Sequence, residues 1–234
     1  MAIEKINTNL AGLPPPWLKR AESGGVQTPT ETAIRKMLGE PLPRVVDPAS
    51  LPPEIANLFA QFGVLRRIQK KLSMLSRKPG GAVIPAKGTI ACVDDDDNIY
   101  MGVEFLESHA QDEALLAGIM AHEWGHIVSD LPRDADWSHL SWDDLHAMRR
   151  EEESYADAYS GRMLYRMGYA VTRFAGFLED LSKFEKRLQT HKYYNPRLRA
   201  EIVRQAFAAE MRHADSARKL FPGLPSNSTL LGVG

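Results

Sequence analysis

The chain has 234 residues, 44% of them hydrophobic and 25% charged, an ordinary globular composition with enough length to bury a sizeable core. Its formal net charge of -1 excludes a general electrostatic attraction to nucleic acid or to an anionic membrane surface. One cysteine, Cys92, excludes an internal disulfide framework, and its expected role is that of a small buried hydrophobe in a strand.

The first residues, MAIEKINTNLAGLPPPW, lack a basic start followed by an apolar stretch and a small-residue cleavage site. No window approaches the ~18 uninterrupted apolar residues of a spanning helix. The expectation is a soluble protein made in the cytoplasm, with no membrane insertion; non-classical secretion as an effector is left open. Nine of the fifteen prolines fall within residues 1–53, between Pro14 and Pro53. Proline fixes φ and removes a backbone donor, so this stretch is expected to be an extended or partly disordered N-terminal extension. A short helix over Thr30 to Leu38, capped by Thr28 or Thr30, is compatible with that. A pro-segment that inhibits by covering a cleft and a docking arm for a regulatory partner both fit it.

From Glu54 to Lys78 the period is helical. Ile55, Leu58, Phe59, Phe62, Leu65, Ile68, Leu72 and Leu75 form an apolar stripe, and Arg66, Arg67, Lys70 and Lys71 form a solvated face. Pro79-Gly80-Gly81 breaks the pattern. Two strand-like runs follow, Gly88 to Val93 and Asn98 to Val103, separated by Asp94 to Asp97. That acidic run lacks the glycine and distal glutamate of an EF-hand loop, so a hairpin turn is expected. Four helices are expected after it: Asp112 to Ser129, Trp142 to Met167, Ala170 to Leu188 and Pro196 to Leu220. Gly168 suits a helix stop and Pro196 a first-turn position. Residues 54–220 make the expected domain, and residues 221–234, rich in Gly, Pro and Ser, a flexible tail.

The stretch Ala121-His122-Glu123-Trp124-Gly125-His126 carries the chemistry. Four residues is slightly more than one helical turn, so His122 and His126 project from one face and their imidazoles can converge on a cation. Glu123 then stands beside the water such a cation would activate and can take its proton. The apolar residues Leu115, Leu116, Ile119, Met120 and Ile127 mark a buried helix, in which three polar side chains need partners. A third ligand has to come from elsewhere, and Glu153 is the candidate. Asp157, four residues on, can accept a ring N–H from a ligand histidine and so fix its tautomer. Small Ala156 and Ser160 would let this helix approach the first closely. Glu151 and Glu152 read as a solvated acidic face.

The run Glu153-Ser154-Tyr155-Ala156-Asp157 resembles the ExxAD motif of the gluzincin peptidases related to HtpX and the CAAX prenyl endopeptidases. The segments from Ile99 to Leu106 and from Asp112 to Ala117, ahead of the HExxH, are similar to that family's strand, turn and active-site helix. The match spans about Glu54 to Arg204. The resemblance implies a zincin-like fold, one catalytic zinc ion, Glu153 as third ligand and Asp157 as its support. It also implies a strand edge that binds substrate backbone, with Gly88 to Val93 or Asn98 to Val103 as the candidates. The family places a histidine and an arginine near the transition-state oxyanion late in the domain. Thr190-His191 fits the start of that pattern, with Arg197 at the family's usual offset and Arg199 as the alternative. Here Lys192 to Pro196 replaces the proline that usually follows directly, and Tyr193 and Tyr194 compete for the same role. Well-known members carry membrane-spanning helices, and none is expected here.

The expectation is therefore an α+β, mainly α, fold with a small sheet or hairpin and a central HExxH helix. Its expected activity is zinc-dependent endoproteolysis of a protein or peptide substrate, with no nucleic-acid partner. The rivals are a latent enzyme and a non-proteolytic zinc-binding scaffold or effector that works by binding a partner. Intact Glu123 speaks against a purely structural site.

Overall fold

Pro52 and Pro53 start the first helix of the domain, since a proline at the first turn gives up only a donor that lacks a partner anyway. The computed structural model describes residues 43–129, 140–181 and 194–221. The helical stretch expected from Glu54 to Lys78 is two helices, α1 (Pro53–Phe59) and α2 (Val64–Ser76), because the chain turns at residues 60–63. The turn re-phases the apolar stripe. Leu65, Ile68 and Leu72 are fully buried, whereas Phe62, expected on the stripe, is 81% exposed.

The mixed sheet has four strands, β1 (Arg44–Val45), β2 (Val83–Lys87), β3 (Ala91–Val93) and β4 (Ile99–Gly102), in the order β1-β2-β4-β3. β2 and β4 run parallel with Val83 opposite Ile99, and β3 pairs antiparallel with β4, Cys92 opposite Tyr100. The β3–β4 connection is the hairpin turn expected at the acidic run. Asp94 accepts the backbone N–H groups of Asp96 and Asn98 and the Tyr100 hydroxyl, so its carboxylate is committed to the turn. β1 pairs with β2, Val45 opposite Ala86, and Leu51 is buried. The sheet therefore includes Arg44, ten residues before Glu54. Residues 1–42, including the expected short helix and the bulk of the proposed pro-segment, lie outside the described residues, as does the tail beyond Phe221.

A further helix, α3 (Val103–His109), follows β4 directly. Then come α4 (Glu113–Val128), α5 (Trp142–Met167), α6 (Val171–Leu181) and α7 (Pro196–Leu220). A capping box of Ser141 and Asp144 starts α5, and Gly168, at φ 80°, ends it in the left-handed region. Asn195 caps α7 by accepting the Arg197 N–H at 2.9 Å. Expected residues 182–188 of the sixth helix lie outside the described residues.

The fold is mainly helical with this small sheet. α4 is its axis: every residue from Leu115 to Ile127 is buried, with β3, α2, α5 and α6 packed around it. Gly125 permits a close approach of α5. A Cβ there would lie 2.7 Å from the Ala156 Cα, so α4 and α5 meet backbone to backbone beside His126. No helix among the described residues is long and apolar enough to cross a membrane.

Candidate metal centre

Asp112 fixes the start of α4 by accepting the Leu115 N–H at 3.1 Å, and Lys78 Nζ donates to the Ile127 carbonyl at its far end. From Ala114 to Ile127 the helix is apolar except for the motif. His122 and His126 share a face, their ring centroids 5.0 Å apart and their planes at 88°. Two of the three residues between them, Trp124 and Gly125, anchor that face. Trp124 is fully buried and donates from Nε1 to Ser76 Oγ at 2.9 Å, while Gly125 admits α5.

α5 brings Glu153 opposite both rings. His122 Nε2 lies 3.2 Å from Glu153 Oε2, and His126 Nε2 lies 3.6 Å from Glu153 Oε1. One donor atom from each of the three buried residues lies within 4.8 Å of the others, a group that could hold a metal ion. The Nδ1 atoms point away from this centre. His122 Nδ1 lies 3.0 Å from Asp157 Oδ1, and His126 Nδ1 meets Glu152 Oε1 at 3.0 Å. Each Nδ1 thus lies beside a carboxylate while each Nε2 lies beside Glu153, the arrangement in which an outer carboxylate orients a ligand imidazole.

Glu152 is thus a correction. Expected on a solvated face, it is 8% exposed and joined to the site, while Glu151 is exposed. Its buried partner is Arg149, itself 1% exposed. Arg149 Nη1 donates to Glu152 Oε2 and Nη2 reaches Glu153 Oε1, both at 2.9 Å. On the other side, Arg199 from α7 binds Asp157 through Nε at 2.7 Å and Nη2 at 3.0 Å, and Nη2 reaches Glu153 Oε2 at 3.2 Å. Arg149 and Glu152 escaped the sequence reading, although their signal was present: Arg149 stands three and four residues before two glutamates, the spacing of helix-face ion pairs.

The charges hold one another in place. Burial disfavours ionisation of Glu153, yet the Arg149 charge, the His122 hydrogen bond and the charges of His126 and Arg199 hold its carboxyl well below the ordinary value. Burial likewise opposes ionised Asp157, and Arg199 and His122 outweigh it. Burial also disfavours a charged His122, but hydrogen bonds to Asp157 and Glu153 lift its pKa to about 10, and Glu152 lifts that of His126.

Two features test the fit of a cation here. Glu123 Oε2 is buried with no hydrogen-bond partner in the protein, an atom that calls for a ligand or water in the cleft. With Glu123 counted, four buried carboxylates (Glu123, Glu152, Glu153 and Asp157) surround the site against two guanidinium groups, those of Arg149 and Arg199. Once the histidines are neutral this leaves a formal excess of two negative charges, matched by a divalent cation. Two imidazoles and a carboxylate are donors that suit zinc among such ions.

Of the residues expected at the oxyanion, Arg197 is exposed in the first turn of α7 and Arg199 is the arginine brought to the centre. Tyr194 is exposed, with the Arg150 guanidinium 6.0 Å from its ring centroid. His191 and Tyr193 lie outside the described residues. No family model matches the chain, no curated protein matches it and no solved structure matches it, so the functional reading rests on the chemistry of the site itself.

Proposed function

We propose that the chain is a zinc-dependent endopeptidase with a zincin-like active site, in which His122, His126 and Glu153 hold the ion. One observation carries the reading: the buried, unpartnered Oε2 of Glu123 belongs to the residue that follows the first of two histidines converging on a third donor. A structural metal site has no use for a buried carboxylate left without a partner, which weighs against the scaffold reading.

When bound, zinc would polarise a scissile carbonyl and lower the pKa of water at the site. The protein residues divide the remaining work. Asp157 and Glu152 orient the two imidazoles through Nδ1. Glu123 Oε2 accepts a proton from the attacking water and returns it to the departing amine, so that one water and one peptide bond give a carboxylic acid and an amine. β3 is the candidate substrate edge, because β4 has partners on both sides while β3 is an outer strand packed against α4. A protein or peptide substrate bound in extended form fits that edge.

The test is digestion of an unstructured protein, with the ends of the products sequenced. Internal cuts that stop on chelation and resume on zinc addition are expected. End-trimming alone, or cleavage indifferent to chelation, would overturn the reading.

A further inference from the structure

Each oxygen of Glu153 faces one histidine and one arginine. On the Oε2 side the circuit runs through His122, Asp157 and Arg199, as a supporting aspartate would lead one to expect. On the Oε1 side it runs through His126, Glu152 and Arg149, with contacts of 3.6, 3.0 and 2.9 Å, closed by the 2.9 Å contact from Arg149 back to Glu153. We infer that Arg149 and Glu152 are positioning residues for the metal, a second arm that sets the ring of His126 and one oxygen of Glu153 together. The inference rests on the proposed metal site and extends it to residues that touch neither substrate nor ion.

The physical argument is one of shape and charge. Glu152 and Glu153 are neighbours in sequence and both are buried, so two like charges meet in a poorly solvated place. A guanidinium is planar and carries a fork of donors, so a single Arg149 satisfies both carboxylates at once. An ammonium is a single point of charge at the end of a flexible stem and does not reproduce the fork. Arg149 is fixed by its own helix, three and four residues before its partners, so the fork, Glu152 and Glu153 move as one rigid unit. The same helix meets α4 at Ala156, three residues after Glu153, where Gly125 lets the backbones approach one residue before His126. The position of His126 is thereby tied to α5 through Glu152, as that of His122 is through Asp157.

The test measures zinc affinity of the full-length chain by competition with a chromogenic chelator, alongside chemical denaturation of the metal-free protein. Arg149→Met should weaken zinc binding by roughly ten-fold or more, the range found when an outer partner of a metal ligand is lost. Arg149→Lys should leave most of that loss in place. The double variant Arg149→Met/Glu152→Met removes the buried charges together, so it should recover stability relative to Arg149→Met while its zinc affinity stays low. A purely structural pair predicts the opposite, affinity recovering with stability. If Arg149→Met does not fold, Glu152→Gln, which keeps volume and an acceptor, should still weaken zinc binding with the fold intact. Zinc affinity within two-fold of wild type in the folded variants would overturn the inference and leave the metal site standing. Failure of the wild type to bind zinc would overturn both.

Discussion

Arg199 binds both carboxylate oxygens of Asp157, at 2.7 and 3.0 Å, and so ties α7 to the carboxylate that orients His122. Arg197, two residues earlier on the same helix, is exposed. The two arginines should therefore separate cleanly. Arg199→Met is expected to lower zinc affinity by roughly ten-fold or more, and Arg197→Ala to leave it within two-fold, both read by chelator competition. Equal effects of the two substitutions would remove Arg199 from the account.

Gly125 makes a second prediction. Adding a methyl group there places it 2.7 Å from the Ala156 Cα, with backbone on both sides that cannot turn away. Gly125→Ala should destabilise the protein by about 1–3 kcal/mol, the usual cost of overpacking. It should also weaken zinc binding, because it parts His126 from Glu153. Denaturation midpoints and metal titration of the same sample check both parts.

The helix start at Asp112 gives a pH dependence. Burial raises the Asp112 carboxyl, but hydrogen bonds from Arg173 and the Leu115 N–H and the nearby charges outweigh it and hold the pKa below its ordinary 3.8. A folded value below the unfolded one means the stabilisation is present above pH 3.8 and is lost as pH falls through the lower folded value. Asp112→Asn keeps a cap but removes the charge. Its deficit relative to wild type should be constant near neutral pH and shrink below about pH 4. A deficit that does not change with acid would contradict this assignment. Asp112→Ala, which removes the cap as well, should cost about 1 kcal/mol more than a neutral surface change.

Metal loading should release protons. In the metal-free protein burial disfavours a charged His122, but Asp157 and Glu153 raise its pKa to about 10, and His126 is raised by Glu152. Below about pH 10 the His122 ring is charged, and a cation must displace its proton to bind. Apparent zinc affinity should therefore climb between pH 6 and 9, by about tenfold per pH unit for each proton displaced. Calorimetry in buffers of different ionisation enthalpy counts those protons directly. An affinity that is flat over this range would contradict the paired-histidine geometry.

The legible parts of the molecule are local. The four-residue step from His122 to His126 needs only helical periodicity, and the end of α5 and the start of α7 follow from Gly168 and Pro196. The four-residue offset from Glu153 to Asp157 placed both on one face, which the structure turns toward α4. What escaped the sequence is non-local or collective. β2 contains Pro85, which argues against a paired strand, and its parallel partner β4 lies across the hairpin. The two-residue β1 is too short to leave a period. That Glu152 joins Glu153 in the interior, paired with Arg149, depends on how α5 packs, and the pairing of Arg199 with Asp157 depends on how α7 packs on α5. Phe62 left the core because the turn at residues 60–63 reset the helical phase.

The most direct test of the central claim compares zinc-loaded wild type with Glu123→Gln on one unstructured protein substrate, with bound zinc quantified in both. The substitution keeps the size of the side chain and leaves His122, His126 and Glu153 untouched, so it removes the base without removing the metal site. Cleavage by the wild type, reduced by two or more orders of magnitude in Glu123→Gln at equal zinc content, is the predicted result. Equal cleavage by both proteins, or zinc bound by both with no cleavage by either, would contradict it.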